Sequence, residues 1–255
     1  MAGLRIGLLT VPCSGILFDK DGTLMDLMSM WGVWAETVLR GMEDQLRLMG
    51  AGPDGVSPKL LGTRHDSSGA VTGYDPNGPL PMATVEETHG ILAWQLYAAG
   101  MPWNEAVARV MHLGKEAMNE VRRRREARPI AGLLPFLDRC RDAGLKLAVV
   151  TSDIAETTAE HLEWLGITDR FHAVVTRDMV TKGKPAPEMA ETACRLLGLQ
   201  PEETVVIGDS NGDMQMGKGA GVRLAVGLSA AAGNSGHLAD ADIVVPDYND
   251  LILIP

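Results

Sequence analysis

Along the chain, runs of aliphatic residues with little polar interruption alternate with stretches in which apolar positions recur every three or four residues. Five short runs rich in Val, Ile and Leu, at residues 15–18, 145–150, 172–175, 204–207 and 223–226, predict strands buried on both faces of a parallel sheet. Amphipathic segments at 154–165, 187–197 and 211–220 separate the later runs and predict helices. This alternation predicts an α/β fold: a Rossmann-like, doubly wound parallel sheet with right-handed crossovers. Its functional groups are expected at the carboxyl ends of the strands.

Between residues 28 and 128 the period changes to helical throughout, with apolar stripes over 31–49, 85–99 and 103–125. The expectation is an all-helical insertion (28–128) interrupting a core made of 1–27 and 129–255. Pro102 suits the first turn of the last of these helices, and Pro129 lies beyond its end. Trp31, Trp34 and Trp94 read as the insertion's core. The four arginines at 122–125 read as a solvated helix end, where cations suit the helix dipole. Residues 62–84 show no clear period. They read as an irregular loop in which Arg64 and His65 are candidate substrate contacts.

Composition narrows the class of partner. The 255 residues carry 23 basic and 33 acidic groups, a formal net charge of −10, with 45% hydrophobic residues, as expected of a soluble globular protein. Such acidity argues against a nucleic-acid partner, since phosphate backbones are bound through clustered Lys and Arg. No apolar stretch reaches the roughly 18 residues of a membrane helix, and the opening residues lack the pattern of a signal peptide, so the expectation is a cytoplasmic chain with no membrane association. Cys13, Cys140 and Cys194 are too far apart for a metal knuckle and read as reduced core residues. Oligomeric state is not legible in the sequence. The charge is uneven: residues 28–128 hold 11 basic and 12 acidic groups, leaving 12 and 21 for the remainder. Excess carboxylates in the core are what a divalent cation would need.

Those carboxylates fall at strand ends. The first run ends in Asp19-Lys20-Asp21-Gly22-Thr23, the second in Thr151-Ser152-Asp153 and the fourth in Gly208-Asp209-Ser210-Asn211-Gly212-Asp213, while Lys184 precedes the 187–197 helix. In a parallel sheet all of them converge on one edge. Carboxylates so close repel one another, and a hard cation, Mg²⁺ above all, relieves the repulsion while accepting a substrate phosphate. The constellation suggests phosphoryl transfer through an aspartyl-phosphate. One carboxylate attacks phosphorus, Lys184 and the Thr151 hydroxyl balance charge, and an acid two residues away serves the leaving oxygen and the water. Asp153 reads as an N-cap for the following helix.

Phe18-Asp19-Lys20-Asp21-Gly22-Thr23, Thr151 after a Val-Val strand, Lys184-Pro185-Ala186-Pro187 and Gly208-Asp209-Ser210-Asn211-Gly212-Asp213 together resemble the four ordered motifs of the haloacid dehalogenase superfamily. The insertion resembles that family's C1-type cap domain. The resemblance implies a nucleophilic Asp19, an acid–base Asp21, and phosphate binding by Thr151, Ser152 and Lys184. It also implies Mg²⁺ held by Asp19, the Asp21 carbonyl and Asp209, with Asp213 as a further ligand or a support. The implied activity is a Mg²⁺-dependent phosphatase acting on a small phosphorylated metabolite, with phosphoglycolate the leading candidate from the branch that the first and third motifs resemble. A sugar-phosphate mutase uses the same motifs. A non-catalytic receiver-like module shares the chemistry but lacks the large insertion and the acid at position 21.

Overall fold

The computed structural model describes residues 3–51, 60–229 and 236–254. Along the chain come β1 (Gly3–Ile6), β2 (Leu9–Pro12) and β3 (Gly15–Phe18), followed by α1 (Val33–Leu48), β4 (Thr63–His65), β5 (Val71–Tyr74), α2 (Pro79–Met82), α3 (Val85–Ala98) and α4 (Trp103–Arg124). The remainder holds α5 (Leu133–Asp142), β6 (Lys146–Val150), α6 (Ala155–Trp164), β7 (Ala173–Val175), α7 (Glu188–Leu197), β8 (Thr204–Gly208), α8 (Asn211–Ala220), β9 (Leu224–Leu228), β10 (Ile243–Val245) and β11 (Leu251–Ile254). The chain divides into two compact units, Met1–Asp26 with Ala127–Pro255, and Leu27–Glu126.

The first unit is built on a six-stranded parallel sheet in the order β10-β9-β8-β3-β6-β7. Strand β3 is buried along its whole length, and its alternation divides the core in two. Ile16 and Phe18 join Leu133, Phe136 and Leu162 from α5 and α6, whereas Leu17 joins Met189, Ala193 and Met214 from α7 and α8. Buried side chains on both faces require helices on both faces, which is why these strands read as continuous apolar runs. All three cysteines are buried and free.

Two features go beyond the sequence expectation. A sixth parallel strand, β10, extends the sheet past β9. A separate antiparallel sheet of β11, β1 and β2 forms beside it, with Gly3 opposite Ile254 and Leu4 opposite both Leu253 and Val11. After β3 the chain forms a tight loop through Met25, which pairs antiparallel with Pro129, and Asp26 donates its backbone N–H to the Arg128 carbonyl at 2.8 Å.

The second unit packs α1 and α3 against α4, with Trp34 donating its indole N–H to the Gly114 carbonyl at 3.3 Å. Two expectations need correction here. The insertion is not all-helical: β4 and β5 form an antiparallel hairpin inside the stretch expected to be irregular. Asp66 closes the hairpin, its Oδ1 accepting from the backbone N–H groups of Ser68 and Ala70, and Gly69 supplies the positive φ that the turn requires. Trp94 is not core. The buried face of α3 carries Thr88, Leu92, Ala93 and Leu96, which leaves Trp94 57% exposed, its ring beside Tyr97. The arginines at the end of α4 behave as expected, with Arg123 and Arg124 folded back onto Glu120. No described helix is long and apolar enough to cross a membrane.

Candidate active site

Strand β3 lies at the centre of the sheet with β8 on one side and β6 on the other, both reached by crossovers, so the crevice past its carboxyl end is flanked by two loops. The register is in step: Phe18 is opposite both Ile207 and Val149, and Asp19 donates its backbone N–H to the Ile207 carbonyl at 2.9 Å. Asp19, Thr151 and Asp209 therefore stand immediately beyond the ends of adjacent strands.

Asp19, Asp209 and Asp213 each bring a carboxylate oxygen within 4.8 Å of the others. Glycines make this approach possible. A Cβ on Gly22, whose φ is +82°, would stand 1.9 Å from Asp209 Oδ2, and one on Gly208 would stand 2.5 Å from the Asp213 carboxylate. Thr23 donates its hydroxyl to Asp209 Oδ1 at 3.4 Å. Asp213 has two tasks. It is the third residue of α8, where it forms a reciprocal cap with Ser210, and its Oδ1 faces the cluster.

Lys184 Nζ lies 2.5 Å from Asp19 Oδ1 and 2.6 Å from Asp213 Oδ1. Its loop is fixed from behind by Glu188, whose two oxygens accept the backbone N–H groups of Thr181 and Lys182. Lys182 is itself exposed. Burial pushes the Asp19 carboxyl up to about 6 against the pull of the Lys184 ammonium, and Asp213 and Asp21 add repulsion. Burial and repulsion from Asp19 and Asp213 hold the Asp209 carboxyl well above the ordinary carboxylate range. Burial opposes the charge on Lys184, yet Asp19 and Asp213 outweigh it and hold the ammonium above the ordinary lysine value. Three close oxygen ligands, two of them destabilised as anions, are a donor set that suits a hard divalent cation.

The other motif residues fall around this cluster. Thr151 is buried, and its hydroxyl oxygen accepts the Asp153 N–H at 3.2 Å, which leaves the hydroxyl hydrogen to donate elsewhere. Ser152 is exposed. Asp153 is not the N-cap of α6. That position falls to Ile154, and Asp178 accepts the Ala155 N–H, while Asp153 accepts from Ile154 and turns its other oxygen toward Lys20. The Asp21 carboxylate stands apart from the three clustered acids and is paired with Lys20 at 2.7 Å. Lys20 and its further neighbour His161 are site residues that the sequence reading missed. A lysine between two aspartates reads as a solvated charge, and His161 is 141 positions away on another element.

In the insertion, Arg64 is exposed, and His65 uses both ring nitrogens inside the hairpin, with Thr63 Oγ1 and the Gly69 carbonyl each at 2.9 Å. His65 and residues 68–70 line an open groove of about 450 Å³ with Glu36 and Arg40, whose charges pair with each other at 2.6 Å.

Known proteins resemble this chain in sequence and in fold. A pyrophosphatase of Halalkalibacterium halodurans is 35% identical over 125 residues, covering 49% of this chain and 58% of the relative. An N-acetylmuramic acid 6-phosphate phosphatase of Pseudomonas aeruginosa is 33% identical over 129 residues, covering 49% and 57%. The chain thus spans little more than half the length of the relatives it matches by sequence. The fold is shared with the crystal structure of a predicted phosphoglycolate phosphatase from Haemophilus somnus, at a TM-score of 0.66 and 18% identity over 93% of this chain and 96% of the other. The family model of the haloacid dehalogenase-like hydrolases matches residues 13–221, a stretch that takes in all four carboxylate-bearing and lysine-bearing loops, and the chain belongs to that family.

Proposed function

We propose that the protein is a Mg²⁺-dependent phosphatase that hydrolyses a small phosphorylated metabolite through a phosphoryl group carried on Asp19. The observation that supports this best is the Asp19 carboxylate, set beside Lys184 at 2.5 Å and within one cluster with Asp209 and Asp213, with a second acid two residues along the chain. An Asp19 oxygen forms the new bond to phosphorus as the ester bond breaks. The departing oxygen takes a proton from Asp21, whose carboxylate then removes a proton from the water that attacks the acyl phosphate. Phosphate is released and Asp19 is regenerated. Lys184 and the Thr151 hydroxyl neutralise the non-bridging oxygens, and exposed Ser152 adds a hydroxyl beside them. Asp19, Asp209 and Asp213, with the Asp21 carbonyl, would hold Mg²⁺, which when bound offsets the charge of the clustered carboxylates and the phosphoryl group.

The relatives' names point to different phosphorylated compounds, so phosphoglycolate is retained here on motif resemblance, with the insertion and its Arg64 assigned to substrate choice. Buried, free thiols suit a reducing compartment such as the cytoplasm. The test is phosphate release from a panel of phosphorylated metabolites with Mg²⁺, repeated with Asp19→Asn and with excess chelator. Both should abolish turnover, by several orders of magnitude for the variant. Isomerisation of a sugar phosphate without phosphate release would establish a mutase instead, and an Asp19→Asn protein with a tenth of wild-type kcat would remove Asp19 as nucleophile.

A further inference from the structure

Lys20 is fully buried, and its ammonium makes three contacts: Asp21 Oδ2 at 2.7 Å, His161 Nδ1 at 2.9 Å and Asp153 Oδ2 at 3.2 Å. A buried ammonium is costly unless each of its protons meets an acceptor. Asp21 and His161 stand within hydrogen-bond reach and the Asp153 carboxylate balances the charge at 3.2 Å; because a charged lysine only donates, His161 Nδ1 must accept. The ring is therefore neutral, since a second cation at 2.9 Å would oppose Lys20 directly. His161 is itself buried on α6, and its ring packs 5.2 Å from that of Trp164.

This group forms a second charge cluster, joined to the first through the adjacent residues Asp19, Lys20 and Asp21. Lys184 serves Asp19 and Asp213, whereas Lys20 serves Asp21 and Asp153, so different ammonium groups hold the nucleophile and the second acid. Stability alone does not account for the arrangement, because buried ion networks are often replaceable by apolar side chains without loss. Asp21 lies in the loop after β3, where its backbone pairs with Met25 in an isolated bridge, and its side chain, 21% exposed, is paired with Lys20.

We infer that Lys20, anchored by His161 and Asp153, is a positioning residue that fixes the Asp21 carboxylate for proton transfer to the leaving group. This rests on the acid–base reading of Asp21 given above. Lys184 pairs with Asp19 and Asp213, and Thr151 is linked to Lys20 indirectly, through the Asp153 backbone N–H, so the loss of Lys20 should act on proton transfer more than on substrate affinity.

The test compares single-turnover phosphoryl transfer from an aryl phosphate, whose leaving group needs no proton, and from an alkyl phosphate, whose leaving group does. Asp21→Asn should lose about 10²–10⁴-fold more on the alkyl ester than on the aryl ester. Lys20→Met and the charge-balanced pair Lys20→Met with Asp153→Asn should show the same selectivity at about tenfold or more, in the single-turnover rate constant at saturation with the half-saturating substrate concentration little changed. At position 161, Gln keeps an acceptor and should retain the wild-type ratio, whereas Leu should not, so His161→Gln and His161→Leu carry the test if the Lys20 variants fail to fold. A selective Asp21→Asn beside unselective Lys20→Met, or His161→Leu indistinguishable from His161→Gln, would overturn the inference alone. An unselective Asp21→Asn would overturn the acid reading of Asp21, and this inference with it.

Discussion

Gly22 and Gly221 share nearly the same positive φ, +82° and +83°, but have opposite surroundings. A Cβ on Gly221 meets no heavy atom within 4 Å, whereas one on Gly22 stands 1.9 Å from Asp209 Oδ2. Alanine at either position imposes the left-handed backbone strain of about 1–2 kcal/mol. At roughly 2–4 °C of melting temperature per kcal/mol for a chain of this size, both variants should melt a few degrees lower. Only Gly22→Ala adds a collision, and the Asp209 carboxylate must recede by more than about 1 Å to restore ordinary contact. Displacements of that size in a reacting constellation cost about 10²-fold. Gly22→Ala should therefore lose about two orders of magnitude in kcat/KM and need more Mg²⁺ for half-maximal activity, while Gly221→Ala keeps both. Thermal unfolding and a Mg²⁺ titration of phosphate release measure the two effects separately. A Gly22→Ala enzyme within about threefold of wild type in both would refute the claim that Asp209 depends on a side-chain-free neighbour.

Two further perturbations follow from charge and hydrogen bonding. Burial raises the Asp19 carboxyl from 3.8 to about 6, so in the metal-free protein the native state holds a proton between those values that the unfolded chain has lost. The stability contributed by this group is therefore present at low pH and is lost as pH rises through about 6. Because Mg²⁺ needs the ionised form, the rise in melting temperature that it produces should shrink on acidification from pH 7.5 to 5, and a pH-independent rise would contradict the assignment. His65→Ala removes the hydrogen bonds to Thr63 and Gly69, so it should cost about 1–2 kcal/mol of stability and act equally on every substrate, as read by thermal unfolding and by the ratio of two substrates' kcat/KM.

The parallel strands were legible because burial on both faces removes polar alternation, and the site because its polar residues fall where those strands stop. What escaped was short or long-range. Ile243–Val245 has three residues, too few to show a period, and the β4–β5 hairpin hides in strands of three and four. Its turn, Asp66-Ser67-Ser68-Gly69, is in retrospect the local signal. An apolar stripe over 85–99 does not say which of its large side chains faces inward; the buried face of α3 is set by Leu92 and Leu96, which turns Trp94 outward. Lys20 and His161 could not be paired from sequence, since nothing local marks a lysine as buried.

The hydrogen bond between Asp26 and Arg128 and the antiparallel pairing of Met25 with Pro129 mean that the two ends of the 27–126 unit leave the sheet-bearing unit as a hairpin would. To the folding sheet, those hundred residues are topologically one turn. The entropy of closing a loop grows only as the logarithm of its length, so a hundred-residue excursion adds just a few kcal/mol over a tight one. A chain built this way can exchange its excursion for a longer, shorter or unrelated one with little effect on the strands. With substrate choice assigned to the insertion, as proposed above, chemistry and selectivity can diversify on separate clocks within a single polypeptide.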